Sequence, residues 1–165
     1  MADGEARTIT ARMTLFNLTD LRAGLGREAR LIGLDLGSKT IGVALSDVTL
    51  LLASPYGSLR RGKLTQNAAE IAAIAAREGA GGVVVGWPLG LDGSEGPAAQ
   101  AARDWTTALA AASGLPAALW DERLTSAAAN RMLIGEADLS RRKRAAVVDK
   151  VAAALILQAA LDSLR

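Results

Sequence analysis

The sequence predicts an α/β domain whose sheet is antiparallel at first and parallel afterwards, on three observations. Two apolar runs, "RLIGLDL" and "TIGVALSD", flank the short turn "GSK" and read as a hairpin. Downstream, short β-rich runs alternate with stretches of helical period, the pattern of crossover connections in a parallel sheet. At 165 residues the chain is long enough for one domain with a sizeable core.

Taken in order, residues 1–29 carry no clear period and are expected to form an extension, with a short helix near 20–23, to a domain spanning 30–165. The two hairpin strands come next. "LLASPYGSLRR" supplies a third strand, in which Pro55 marks an edge or a break because it cannot donate to a ladder. "KLTQNAAEIAAIAAREGA" places Leu64, Ala68, Ile71, Ile74 and Ala75 at helical spacing and ends at Gly79, a suitable C-cap. "GGVVVGWP" is a short buried strand stopped by Gly86 and Pro88. After the loop "LGLDGSEGP" a helix is expected over 98–112, and "LPAALWDER" reads as a fifth strand. "TSAAANRMLIG" reads as a helix with Thr125 or Ser126 as N-cap. "EADLSRRKR" reads as a polar, charged loop, and "AAVVDKVAAALILQAALDSL" as the last helix.

Composition removes several chemistries. The chain has no Cys, so disulfides and thiolate metal sites are excluded, and no His, so an imidazole base and a His-ligated zinc are excluded too. Any catalysis must come from Asp, Glu, Lys, Arg, Ser, Thr or Tyr, or from a hard metal held by carboxylates. Half the residues are apolar but only 3% aromatic, while Ala supplies 35 of them, so the core must rest on aliphatics and close-packed Ala faces. The net charge of +2 is uninformative as an average; "RRKR" at 141–144 is a compact cationic block. No run approaches the length of a transmembrane helix, and residues 1–30 lack the apolar core of a signal peptide, so a cytoplasmic protein without membrane attachment is expected.

Four carboxylates stand where a solvated face cannot explain them. Asp35 lies inside the first strand between Leu34 and Leu36, and Asp121 and Glu122 close the fifth strand. Asp149 sits in the last helix with Val148, Ala152, Ala153 and Ile156 around it, on or beside the core-facing stripe. Each alone could be a capped turn or an ion pair, as Asp121 with Arg123. Together, acids on a first strand, a late strand and a last helix could converge at one end of the sheet. Carboxylates held that close repel one another until a divalent cation arrives, and oxygen ligands select Mg²⁺ or Mn²⁺. Strand alternation sends Asp121 and Glu122 to opposite faces unless the strand has ended there, so either could be the ligand.

Other motifs are weaker. "GSKT" lacks the glycine spacing of a Walker A loop and joins strand to strand, but Ser38 and Lys39 in this turn could touch a phosphate. Arg141, Arg142, Lys143 and Arg144 precede the helix bearing Asp149, which suits phosphate-backbone contact. Trp120 is expected to pack opposite Asp121, in the core.

Four blocks, "GLDLGSKTIGVALSD", "VVVGWPLGLDGSEG", "WDERLTSAAANRML" and "VDKVAAALILQ", together resemble the YqgF family, also called RuvX, in the family's order and over roughly residues 30–162. Two positions depart from its pattern: Gly90 stands where the family usually reads Asn in "PLN", and Lys150 follows Asp149 where a small residue is common. The resemblance implies a ribonuclease H-like fold with a mixed five-stranded sheet. It implies a nuclease that processes the 5′ end of precursor 16S rRNA, or a Holliday-junction resolvase-like enzyme. By the same resemblance Asp35, Asp121, Glu122 and Asp149 are the catalytic and metal-binding acids. In a two-metal mechanism the ions would sit ~3.5–4 Å apart, with Asp35 bridging them. Lys39, Arg123 and the 141–144 block would hold the backbone of structured RNA or branched DNA, and the protein would act as a monomer or homodimer. Two alternatives carry different tests. A non-catalytic nucleic-acid-binding adaptor would bind RNA without turnover; a sugar-kinase-like ATPase would need a second lobe, for which the chain is too short.

Overall fold

In the computed structural model of the chain, the described residues are 15–125 and 141–165, those at 141–147 by backbone alone. The elements are β1 (Leu15–Phe16), α1 (Leu18–Ala23), β2 (Arg30–Leu36), β3 (Thr40–Ser46), β4 (Ala53–Arg60), α2 (Leu64–Glu78), β5 (Ala80–Trp87), α3 (Pro97–Ser113), β6 (Ala117–Asp121) and α4 (Arg141–Ser163), with a single 3₁₀ turn at Glu122–Leu124. The strands form one sheet in the order β1-β6-β5-β2-β3-β4. β2, β3 and β4 pair antiparallel, whereas β2, β5 and β6 pair parallel, as does β1 with β6.

The period-2 alternation of β2 separates two cores. Leu31 faces α4, packing with Ala153, Ile156 and Leu157; Ile32 and Leu34 face α2 and α3, packing with Ile71, Ile74 and Leu109. By the same alternation Gly33 and Asp35 lie on the α4 face. Small residues let α4 sit close: a Cβ on Gly33 would fall 2.7 Å from the Leu157 Cβ. Alanines serve this contact, with Ala152, Ala153 and Ala160 fully buried, and others pack the opposite core, among them Ala68, Ala75 and Ala110. Helix α2 ends as its sequence demands, with Gly79 in the left-handed region at φ 71°.

Two expectations are corrected. The sheet has six strands, not five, because Leu15–Phe16 adds an edge strand beside Ala117 and Ala118; two residues are too few to leave a readable period. The "RRKR" block is not part of a loop: α4 begins at Arg141, so the cations open the helix, in keeping with the good helix propensity of Arg and Lys. Helix α1 follows β1 directly, N-capped by the Asn17 side chain, and its Leu21 is buried in the α4-side core. The helix expected from Thr125 or Ser126 onward falls outside the described residues, except that Thr125 is the C-cap of the 3₁₀ turn. On β4 the ladder shifts at Pro55, leaving Tyr56 as the extra residue opposite Val43 and Ala44. No helix among the described residues is long and apolar enough to cross a membrane.

At the far end of β3, Asp47 builds the turn into β4. Its carboxylate accepts from the Leu51 and Leu52 amides and from the Thr49 hydroxyl, allowing Leu50 a left-handed φ of 58°. These bonds lower the Asp47 pKa to about 2, with the Thr49 hydroxyl the largest cause. A carboxyl depressed in the folded state contributes stability that is present above its unfolded pKa of 3.8 and is lost as pH falls towards 2. Asp47→Asn should therefore melt about 2–4 °C below wild type at pH 7, and thermal melts should show that gap closing between about pH 4 and pH 2.

Candidate active site

Three elements that are remote in sequence deliver carboxylates to the C-terminal end of β2. Asp35, the penultimate residue of β2, is only 3% exposed. Its cross-strand partner on β3 is Gly42. Because Gly42 has no side chain, α4 crosses directly above it: an added Cβ would lie 2.0 Å from the Asp149 carbonyl oxygen. That crossing brings the Asp149 carboxylate over the β2–β3 turn, 3.4–3.5 Å from where a Cβ on Gly37 would sit. The Thr40 hydroxyl donates to Asp149 Oδ2, and the Gly37 amide donates to the Thr40 carbonyl at 2.8 Å, so the turn is shaped to orient this acid.

The third carboxylate is Glu122. Strand β6 ends at Asp121, and the chain turns into the 3₁₀ segment, which frees Glu122 from strand alternation. Its carboxylate folds back over Gly86 of β5, where an added Cβ would meet Glu122 Oε1 at 2.6 Å. Asp35, Glu122 and Asp149 all line one open cleft of about 470 Å³, with Gly37, Ser38 and Arg61 along one rim.

Asp121 does not line this cleft. It caps the 3₁₀ turn by accepting from the Arg123 amide at 3.0 Å, and it receives the Arg123 guanidinium through Nη2 at 2.7 Å and Nε at 3.1 Å. That guanidinium holds the Asp121 carboxyl below the usual carboxylate range. Arg123 also lies against Gly93, which has a φ of 85°, and its Nη1 donates to the Leu91 carbonyl at 3.4 Å. The pair therefore fastens the 88–96 loop to the end of β6. The other end of that loop is fixed by the Arg103–Glu95 ion pair at 2.8 Å, with Arg103 stacked 4.9 Å over the Trp87 ring.

The remaining sequence candidates divide as follows. Ser38 lines the cleft and Lys39 is exposed on the adjoining turn. The side chains of Arg141, Arg142, Lys143 and Arg144 lie outside the described residues. Trp120 packs against the α4-side core, as its place on β6 suggests. Sequence reading missed Arg61, whose Nη1 donates to the Gly37 carbonyl at 2.8 Å and whose guanidinium forms part of the cleft wall. The available signal was "RR" closing a strand that returns to the hairpin turn.

The donor set is all oxygen, on glycine seats that a Cβ would fill, which suits a hard divalent cation. Among the described residues no three acids stand close enough to cage an ion by themselves. Mg²⁺ needs no such cage, since it keeps several waters and binds through one or two carboxylates plus substrate phosphates. The residues present fit that mode.

With this geometry in place, the comparisons decide the lineage. The RuvX family, described as Holliday junction resolvase, matches residues 29–163. The chain belongs to the RuvX family. A RuvX relative from Gluconacetobacter diazotrophicus, named "Putative pre-16S rRNA nuclease", is 65% identical over 151 residues, covering 92% of this chain and 98% of the relative. One of the same name from Acidiphilium cryptum is 62% identical, covering 92% and 96%. Among solved structures, RuvC of T. thermophilus in complex with a Holliday junction substrate aligns with a TM-score of 0.50 at 16% identity, over 82% of this chain and 94% of that one. That likeness shows the ribonuclease H-like fold of this RuvX protein: the mixed sheet, with helices on both faces.

Proposed function

We propose that this protein is a metal-dependent phosphodiesterase that processes the 5′ end of precursor 16S rRNA in the cytoplasm, with Asp35, Glu122 and Asp149 as its catalytic carboxylates. The observation that carries the reading is the convergence of these three acids on one cleft beside a cation, Arg61. The relatives named as pre-16S rRNA nucleases favour RNA as the substrate.

Asp35, buried at the end of an interior strand, is the fixed point of the site. Asp149 is aimed by the Thr40 hydroxyl, and Glu122 by its seat over Gly86. Mg²⁺ or Mn²⁺ held by these carboxylates would supply Lewis-acid activation of a water and neutralise charge on the scissile phosphate. Asp121 keeps the loop of residues 88–96 in place through Arg123 and is not a ligand. With backbone contacts of this kind, recognition rests on shape and charge more than on base sequence.

The family description favours a second substrate, a four-way DNA junction, whose two-fold symmetry would require a dimer presenting two clefts. The test is a panel: a labelled precursor-rRNA 5′ leader, single-stranded DNA and a four-way junction, each with Mg²⁺, Mn²⁺ or EDTA. Metal-dependent cleavage of the leader in preference to the others is the expected result. Preferred cutting of the junction would move the assignment to resolution, and binding without cutting of any substrate would leave an adaptor.

A further inference from the structure

The cleft has one wall whose charge the three carboxylates do not use. Lys39, Arg60, Arg61 and Lys63 gather where the β2–β3 turn meets the end of β4. Thr40 pairs with Arg60 across the ladder, and the Arg61 amide donates to the Lys39 carbonyl at 2.9 Å. Lys39, Arg60 and Lys63 are exposed, while Arg61 reaches into the cleft. None of the four forms an ion pair among the described residues. Between Asp35 and Glu70 the sole acid in the sequence is Asp47, at the opposite end of β3.

The segment that carries these cations is braced from within. Asn67, fully buried, receives the Gly62 amide at 2.9 Å and donates to the Arg60 carbonyl at 3.0 Å, and its own amide donates to the Lys63 carbonyl at 3.0 Å. A buried side-chain amide bonded to the backbone of residues 60 and 62, beside the helical backbone bond to residue 63, holds like charges together in a preset arrangement. Elsewhere the cleft is lined by Pro88 and by Ala98, Ala101 and Ala102 of α3, and the cations adjoining the cleft lining in sequence, Arg103 and Arg123, are engaged with Glu95 and Asp121.

From this juxtaposition we infer that Lys39, Arg60, Arg61 and Lys63 form a phosphate track, along which the sugar–phosphate backbone of a single strand leaves the cleft across the end of β4 towards the start of α2. Arg61 is the member that meets the phosphate nearest the carboxylates. The inference deepens the nuclease reading and rests on it for the strand's presence in the cleft.

The test measures binding in EDTA, so that it does not depend on cleavage. Fluorescence anisotropy with single-stranded RNA and DNA oligonucleotides across a salt series compares wild type with Lys39→Ala/Arg60→Ala/Lys63→Ala. A charge-matched control, Arg22→Ala/Arg27→Ala/Arg165→Ala, removes three cations at the other end of the sheet. Each phosphate contact contributes ~0.7 to the slope of log affinity against log salt, so the track variant should lose about 2 from that slope while the control keeps it. Arg61→Ala alone should bind about tenfold more weakly. Equal slopes in the track variant and the control would overturn the inference, as would wild type that binds neither oligonucleotide. If wild type binds and the track variant loses its slope but nothing is ever cut, the track stands and the nuclease reading fails.

Discussion

Gly42→Ala is expected to prevent the protein from folding at 25 °C. A Cβ there would lie 2.0 Å from the carbonyl oxygen and 2.3 Å from the carbonyl carbon of Asp149. Both are backbone atoms of α4, so no rotamer change relieves the clash and the helix must move as a body. It cannot do so cheaply, because Leu157, two turns on, is seated against Gly33 and the helix supplies most of one core. A penalty above about 5 kcal/mol would exceed the margin by which many domains of this size are stable. The control is Gly57→Ala on β4, where an added Cβ meets nothing within 4 Å; it should change stability by less than ~0.5 kcal/mol. Circular dichroism melts of the two variants check the contrast, and a native-like melt for Gly42→Ala would mean that α4 does not lie on β3 as described.

Asp35→Asn should abolish metal-dependent cleavage, by about a thousandfold or more, while leaving the metal-free protein at least as stable as wild type. The first half follows from the several kcal/mol of transition-state stabilisation that a carboxylate-held metal supplies. The second follows from burial. Asp35 is 3% exposed on a cleft shared with two other carboxylates, and the isosteric amide keeps its volume and hydrogen-bonding capacity while removing one negative charge from that cleft. Single-turnover cleavage and thermal melts in EDTA measure the two halves. A variant that loses activity because it unfolds would show the opposite sign in the melts.

Much of the fold was legible because its signals are local. The hairpin of β2 and β3 declared itself in alternating runs around "GSK", α2 in its apolar spacing and Gly79, and β5 in "VVV" between glycines. The acids were legible for a thermodynamic reason: a carboxylate amid Leu or Ala needs an explanation, and Asp35 and Asp149 did converge. What escaped the sequence was non-local or too short. Strand β1 has two residues, and its pairing with β6 spans a hundred positions. The first turn of α4 carries four cations in place of an apolar stripe, so it read as a loop. Which of Asp121 and Glu122 lines the cleft depended on where β6 stops, at the cap that Asp121 makes with the Arg123 amide. Gly37, Gly42 and Gly86 are plain in the sequence, but their purpose depends on carboxylates 36 to 112 residues away.

On the reading proposed above, a divalent cation binds in the cleft lined by Asp35, Glu122 and Asp149, while Asp121 serves the neighbouring loop. The most direct test is the Mn²⁺-induced rise in melting temperature, compared among wild type, Asp35→Asn, Glu122→Gln, Asp149→Asn and Asp121→Asn. Anything that binds the folded state alone raises its melting point by mass action, so the shift reads the site without any substrate. The shift is expected to shrink in the Asp35, Glu122 and Asp149 variants and to persist in Asp121→Asn. A shift that persists in Glu122→Gln and is lost in Asp121→Asn would contradict this reading.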